Sequence, residues 1–97
     1  MRKFEWDEEK NQSNIEKHGI RFEDAQTIFD GQILTKIDDR NDYGETREIS
    51  LGLFNSTVVL LVVHTDRAGT IRLISARKAT GKERQLYEKA IQQSPDG

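Results

Sequence analysis

The chain has 97 residues, enough for one two-layered domain but too few for an additional substrate domain. Hydrophobic residues make up 34% and charged residues 33%, so the core must be compact, and the absence of cysteine excludes disulfides and cysteine nucleophiles. The net charge of −2 hides a gradient: residues 1–48 carry 8 Lys and Arg against 13 Asp and Glu, whereas residues 49–97 carry 7 against 4. A local basic site on an acidic body favours a small phosphate footprint or an acidic protein partner over extended nucleic-acid binding.

The N-terminal third predicts a short edge strand and two helices. Phe4-Glu5-Trp6 alternates apolar and acidic residues, and Asp7 follows as the N-cap of a helix that runs to about His18. Gly19 is suited to the left-handed conformation that ends such a helix. A second helix from Phe22 to about Asp30 has an apolar stripe, but Arg21 before it is a poor cap.

The middle of the chain predicts four consecutive antiparallel strands near residues 32–38, 46–54, 57–66 and 70–77, with an exposed polar loop from Asp38 to Gly44. The third strand lacks polar alternation and is therefore expected to be covered on both faces. Asp66 to Gly69 predicts a three- to five-residue hairpin loop. Strict alternation in the last strand puts Ile71, Leu73, Ser75 and Arg77 on one face and Arg72, Ile74, Ala76 and Lys78 on the other.

The C-terminal segment predicts a helix over residues 80–92. Thr80-Gly81-Lys82-Glu83 has the form of a capping box, and Leu86, Tyr87, Ala90 and Ile91 recur at helical spacing. Residues 92–97 are expected to fray. The whole chain, residues 1–97, is therefore predicted to form a single α+β domain with the order β-α-α-β-β-β-β-α.

Several kinds of site and location are excluded by the sequence. It has no P-loop, dinucleotide glycine fingerprint or HExxH motif, and residues 38–42 lack the glycine and terminal glutamate of a calcium loop. We therefore expect no cofactor and no metal. The longest apolar run, Val58 to Val63, has six residues against the roughly 18 to 20 of a membrane span, and MRKFEWDEEK lacks a signal-peptide apolar segment. These features predict a cytoplasmic protein without a membrane partner.

The strongest candidate for chemistry is a group of cationic or ionisable side chains: His64, Arg67, Arg72, Arg77, Lys78, Lys82 and Arg84. Arginine forks suit phosphate, and a metal-free ribonuclease needs a base, an acid and cations around the phosphate. In the structural alternative, Arg72 pairs with Glu48 or Glu45, and Lys82 and Arg84 lie on a solvated helix face. His64 is either a proton-transfer group or a hydrogen-bonded structural residue.

Two segments carry a resemblance to a known family: FEWDEEKNQSNIEKHGIRFEDAQTIF at residues 4–29 and VVHTDRAGTIRLISARKATGKERQLYE at residues 62–88. Together they resemble the BrnT family of bacterial toxins. The resemblance implies a RelE-like fold, with a small antiparallel sheet of about four strands, two N-terminal helices and one C-terminal helix. It further implies the ribonuclease half of a type II toxin–antitoxin pair, neutralised by a ribbon-helix-helix, DNA-binding BrnA-type antitoxin whose complex represses its own operon. Arg21 departs from the serine or threonine that the family commonly has there.

The predicted function is a metal-independent endoribonuclease that cleaves RNA and arrests growth. His64, Arg72 and Arg77 are the predicted catalytic residues, and Arg67, Lys78, Lys82 and Arg84 the predicted RNA-binding residues. The two catalytic arginines would hold the scissile and an adjacent phosphate, while His64, if exposed, would transfer a proton. The antitoxin would cover this basic face with acidic or apolar residues. The alternative is a non-catalytic module whose basic face binds an acidic partner or operator DNA.

Overall fold

The computed structural model describes residues 2–40 and 44–92. The elements in chain order are β1 (Lys3–Glu5), α1 (Glu8–His18), α2 (Phe22–Ala25) continuing as a 3₁₀ helix (Gln26–Asp30), β2 (Ile33–Asp38), β3 (Arg47–Phe54), β4 (Val58–Arg67), β5 (Thr70–Lys78) and α3 (Gly81–Gln92). The predicted helices and four consecutive strands are confirmed. Part of the predicted polar loop, residues 41–43, and the predicted fraying tail from residue 93 lie outside the described residues. No helix in the described part of the chain is long and apolar enough to cross a membrane.

The sheet has five strands in the order β1-β5-β4-β3-β2, and it is mixed. Strands β2 to β5 are antiparallel, whereas β1 runs parallel to β5 with Phe4 opposite Ile71. The α+β class and the predicted order of five strands and the helices are confirmed, whereas the antiparallel sheet of about four strands implied by the resemblance lacks the parallel strand β1. A three-residue alternation indicates an edge strand without specifying its partner or direction, and the two helices and three strands between β1 and β5 are long enough for a parallel pairing.

Strand β4 lies in the middle of the sheet and separates two apolar cores. We call the side covered by α2 and its 3₁₀ extension the α2 face, whose core includes Phe22, Ile28, Leu60, Val62 and Leu73. We call the opposite side the α3 face, whose core includes Ile49, Leu51, Leu61, Val63 and Tyr87. Because both faces are covered, β4 needs no polar alternation, as predicted.

A β-bulge in β5 changes which side chains share a face. Val63 lies opposite Ser75, whereas the next residue, His64, lies opposite Leu73, so Ile74 is the extra residue. Leu73 and Ala76 consequently both enter the α2-face core. Arg77 lies opposite Leu61 on the α3 face, so the predicted sharing of one face by Leu73 and Arg77 is wrong. Strict period-two alternation cannot anticipate an inserted residue.

The β4–β5 hairpin is tighter than the predicted three- to five-residue loop. Strand β4 continues to Arg67 and β5 begins at Thr70, so only Ala68 and Gly69 connect them. Both have positive φ, 54° and 87° respectively. This pattern suits a two-residue turn whose twist matches the flanking strands, and it lets both strands extend by one more pair.

Two buried asparagines hold α1 and α2 in place. The Asn14 amide donates to the carbonyl oxygens of Ile20 and Ala76 at 2.9 and 2.8 Å, and its Oδ1 accepts from the Ala76 amide at 3.0 Å. Asn11 Oδ1 accepts from the Phe22 amide at 2.9 Å. Arg21 makes no side-chain cap bond, in agreement with its being a poor cap, but Asn11 supplies from α1 an acceptor for the first free amide of α2.

Candidate active site

The α3 face carries a cavity of about 540 Å³ between the sheet and the first turns of α3. Its floor is aliphatic and comes from strands β2, β3 and β4 together with one residue of α3: Leu34, Ile49, Leu51, Leu61, Val63 and Leu86. Its polar lining comprises His18, Lys36, Arg40, Ser75, Arg77 and Glu83. Three of these six side chains are permanent cations and one is a carboxylate, so the cavity favours an anion with an apolar part.

Arg77 and Glu83 form a bidentate ion pair at the edge of this cavity. Arg77 Nη1 and Nη2 donate to the two Glu83 oxygens at 2.8 and 2.9 Å, and Nη1 also donates to the Lys78 carbonyl oxygen at 3.1 Å. The hydrogen bonds from Arg77, reinforced by the Thr80 amide, lower the pKa of Glu83 to about 2. Glu83 in turn raises the pKa of Arg77. Both groups therefore stay ionised near neutral pH.

The predicted capping box fixes this pair to the start of α3. The Glu83 amide donates to Thr80 Oγ1 at 3.2 Å, and the Thr80 amide donates to Glu83 Oε1 at 2.8 Å. Glu83 thus serves the helix and Arg77 at once. The end of β5, the start of α3 and the guanidinium form one connected hydrogen-bonded unit.

The comparisons with known proteins agree with this architecture. A family model described as the ribonuclease toxin BrnT of type II toxin–antitoxin systems matches residues 6–83. The chain belongs to the BrnT family. The crystal structure of the Brucella abortus ribonuclease toxin BrnT is similar, with a TM-score of 0.62 and 28% sequence identity over 82% of this chain and 99% of that one. A search of curated proteins finds no match.

Family membership confirms the resemblance drawn from the sequence. It makes this chain a ribonuclease toxin of a type II toxin–antitoxin system in general terms, and such systems imply an antitoxin partner. Family membership does not by itself assign catalytic roles to residues of this BrnT-family chain. Those roles depend on where the structure places each predicted residue. Of the seven predicted site residues, all within the described ranges, Arg77 alone lines the cavity.

His64 lies on the other face of the sheet and is 4% exposed. Its Nε2 shares a 2.7 Å hydrogen bond with Ser50 Oγ, which in turn shares one of 2.7 Å with Thr35 Oγ1. The Phe29 and His64 rings are nearly perpendicular, with their centroids 5.0 Å apart. Burial lowers the pKa of His64 to about 4, with Asp66 opposing the shift, so the ring is neutral near pH 7. The predicted proton transfer by His64 required an exposed ring, and the ring is buried.

Arg72 and Arg67 are ion-paired away from the cavity. Arg72 Nη1 donates to Glu5 Oε2 at 2.6 Å, and Arg67 Nη2 donates to Glu45 Oε2 at 3.0 Å. The structural alternative correctly foresaw pairing, but Glu48 and Glu45 were the wrong partners for Arg72. The reason is that β1 joins the sheet beside β5 with Glu5 opposite Arg72, which the sequence did not specify.

The remaining predicted RNA-binding residues lie around the start of α3. Lys78 and Lys82 are exposed, and Arg84 Nε donates to Glu88 at 2.8 Å while its Nη1 donates to the Thr57 carbonyl oxygen at 2.9 Å. None of these three belongs to the described cavity lining. Lys78 lies opposite Leu60 of the α2-face core, so its position in β5 is on the other face of the sheet from Arg77.

Sequence reasoning missed most of the polar cavity lining: His18, Lys36, Arg40, Ser75 and Glu83 as a functional group. Alternation in β2 could have put Lys36 beside Leu34 on one face. His18 had been assigned only to the end of α1, and nothing in the sequence brings that end near β5. Arg40 is held by the buried Asp38, to which its Nε and Nη2 donate at 2.7 and 2.8 Å.

Proposed function

We propose that this protein is an endoribonuclease toxin that cleaves RNA in the cytoplasm without a metal ion, and that the α3-face cavity is its active site. The observation that carries the proposal is the ion-paired Arg77 at a cavity lined by two further permanent cations. A phosphodiester cleaved through its own 2′-hydroxyl develops negative charge on the phosphate oxygens. Preoriented cations in a partly dry cavity stabilise that charge with little reorganisation.

The cleavage also requires two proton transfers. A base removes the proton of the 2′-hydroxyl as its oxygen attacks phosphorus, and an acid protonates the departing 5′-oxygen. His18 is the histidine that lines the cavity, at the exposed C-terminus of α1. We therefore propose His18 as the first candidate for proton transfer. The roles predicted for His64 and Arg72 stay predictions, and both would need substantial rearrangement to reach a phosphate bound at Arg77.

The donor set of the cavity supports the proposed metal independence. Within the described cavity lining, Glu83 is the single carboxylate, and both its oxygens accept hydrogen bonds from Arg77. A divalent cation prefers several free oxygen ligands and would be repelled by three neighbouring permanent cations. The same lining suits an RNA phosphate.

The proposed antitoxin is of the BrnA type and neutralises the toxin by occupying the cavity. Aliphatic side chains would fill the floor, and carboxylates would pair with the cations around it, which include Lys36 and Arg77. Operator DNA would then contact the pair only through the antitoxin. A structure of the complex in which the cavity remains open to solvent would overturn this mode of neutralisation.

The direct test is incubation of purified protein with 5′-labelled RNA in EDTA. We expect cleavage products ending in 2′,3′-cyclic phosphate, with Arg77→Ala as the control whose cleavage is slowed about 100- to 1000-fold. The competing possibility is a non-catalytic binding module, favoured by the ion pairing of Arg67, Arg72 and Arg84. RNA that is bound but uncleaved in EDTA and in Mg²⁺ alike would support that alternative and reject the ribonuclease proposal.

A further inference from the structure

Glu83 caps α3 and also binds Arg77 through both of its carboxylate oxygens. Oε1 accepts from the Thr80 amide and from Arg77 Nη1, each at 2.8 Å, and Oε2 accepts from Arg77 Nη2 at 2.9 Å. The side chain of Glu83 is 26% exposed. A carboxylate so occupied is a poor proton acceptor, but it fixes the orientation of the planar guanidinium.

The donors of Arg77 can be counted one by one. A guanidinium has five N–H donors, of which Nη1 uses two, toward Glu83 and the Lys78 carbonyl, and Nη2 uses one, toward Glu83. Nε–H and the second Nη2–H make no hydrogen bond to the described residues. These two donors lie side by side along one edge of the guanidinium plane. They form a second fork with the spacing that two phosphate oxygens require.

We propose that Glu83 is a positioning residue that holds one edge of Arg77 so that its second fork is presented to the scissile phosphate. This inference rests on the proposed function of the cavity. Glu83 itself would not touch the RNA. Through the capping box, it also ties the direction of that fork to the rigid start of α3.

The proposal separates binding from chemistry. The negative charge of Glu83 opposes an incoming phosphate, so its removal leaves the cavity more cationic and RNA binding unchanged or tighter. The freed arginine, however, samples many rotamers, and misplacement of a catalytic donor by about 1 Å can lower the rate about 100-fold. We therefore expect Glu83→Ala to lower kcat about 100-fold while KM stays the same or falls. A purely structural role would lower Tm and distort the cavity, so kcat would fall and KM would rise.

Thr80→Ala is the matched control because it breaks the other half of the same capping box. It removes the acceptor of the Glu83 amide but leaves the bonds between Arg77 and Glu83 intact. We expect a lower Tm from the loss of a cap and a kcat close to wild type. Glu83→Gln keeps an acceptor for the Thr80 amide but loses the charge-assisted fork, so its kcat should lie between wild type and Glu83→Ala.

The experiment measures kcat, KM and Tm on single-stranded RNA for wild type, Glu83→Ala, Glu83→Gln, Thr80→Ala, Arg77→Ala and the Arg77→Ala/Glu83→Ala double variant. If Glu83 acts through Arg77, the double variant is no slower than Arg77→Ala alone. Three results would overturn the positioning role while leaving the proposed function intact. They are a double variant slower than Arg77→Ala, a wild-type kcat in Glu83→Ala, and a loss of kcat in Thr80→Ala as large as that in Glu83→Ala. Wild-type protein that does not cleave RNA would overturn the proposed function, and this inference with it.

Discussion

Arg77 and Arg72 provide a paired test, since both lie on β5, both are ion-paired, and only Arg77 lines the cavity. The sequence alone predicted that alanine at either position abolishes RNA cleavage and toxicity while the protein stays folded. With the cavity located, the two substitutions are expected to differ. Arg77→Ala removes a donor at the proposed phosphate site, whereas Arg72→Ala removes a cation bound to Glu5 outside it.

The magnitudes follow from these contacts. Loss of a preoriented donor to the developing charge raises the barrier by roughly 2.7 to 4 kcal/mol, or about 100- to 1000-fold in rate. Loss of a peripheral cation should lower the rate less than about tenfold, which corresponds to about 1.4 kcal/mol. The Arg77 and Arg72 side chains are 37% and 27% exposed, so each ion pair should contribute only about 0.2 to 1 kcal/mol to stability. Both variants should therefore fold, with Tm lowered by less than about 8 °C.

The assay is single-turnover cleavage of labelled RNA in EDTA, together with growth after induction and circular dichroism of each variant. Equal rates for Arg77→Ala and wild type would refute the placement of the active site in the α3-face cavity. If Arg72→Ala were as slow as Arg77→Ala at equal stability, the RNA-binding surface would have to extend to the β1 edge. A loss of toxicity with loss of the circular dichroism signal would count as unfolding and leave neither arginine assigned a chemical role.

Three further predictions concern the histidines and α1. His18→Ala should slow cleavage about 100- to 10,000-fold if it transfers a proton, whereas His64→Ala should do so only if the buried ring becomes exposed; a His18 variant with wild-type activity would exclude that residue. Because the folded-state pKa of His64, about 4, lies below the ordinary histidine value of 6.5, the unfolded chain binds more protons between these two pH values. The neutral, buried His64 therefore contributes its full stabilisation above about pH 6.5, and the free energy of unfolding falls by up to about 3 kcal/mol as the pH is lowered toward 4. Denaturant titrations at several pH values should find this pH dependence weakened in His64→Asn. Asn14→Ala leaves the Ala76 amide and the carbonyls of Ala76 and Ile20 without their buried partner, so it should lower the free energy of unfolding by at least about 3 kcal/mol. The exposed Gln12→Ala on the same helix is its control, and comparable losses in both would contradict the anchoring role.

Local patterns in the sequence were enough to define the elements of this protein. The Asp7 cap, the left-handed Gly19, the apolar run in β4 and the Thr80–Glu83 capping box each act within a few residues, and the structure contains all four. The two motif-bearing segments were likewise sufficient to identify the family, because that match depends on residue order and not on contacts.

Only the tertiary structure decided which side chains meet. One extra residue in β5, Ile74, separates the face of Leu73 from that of Arg77, and no local preference records a bulge whose position is set by pairing with β4. The ion pair of Arg72 with Glu5 joins residues 67 positions apart. His18 reaches the cavity because the buried Asn14 docks α1 against β5. Sequence periodicity specifies which face of an element is apolar, but the composition of a site depends on long-range packing that brings several such faces together.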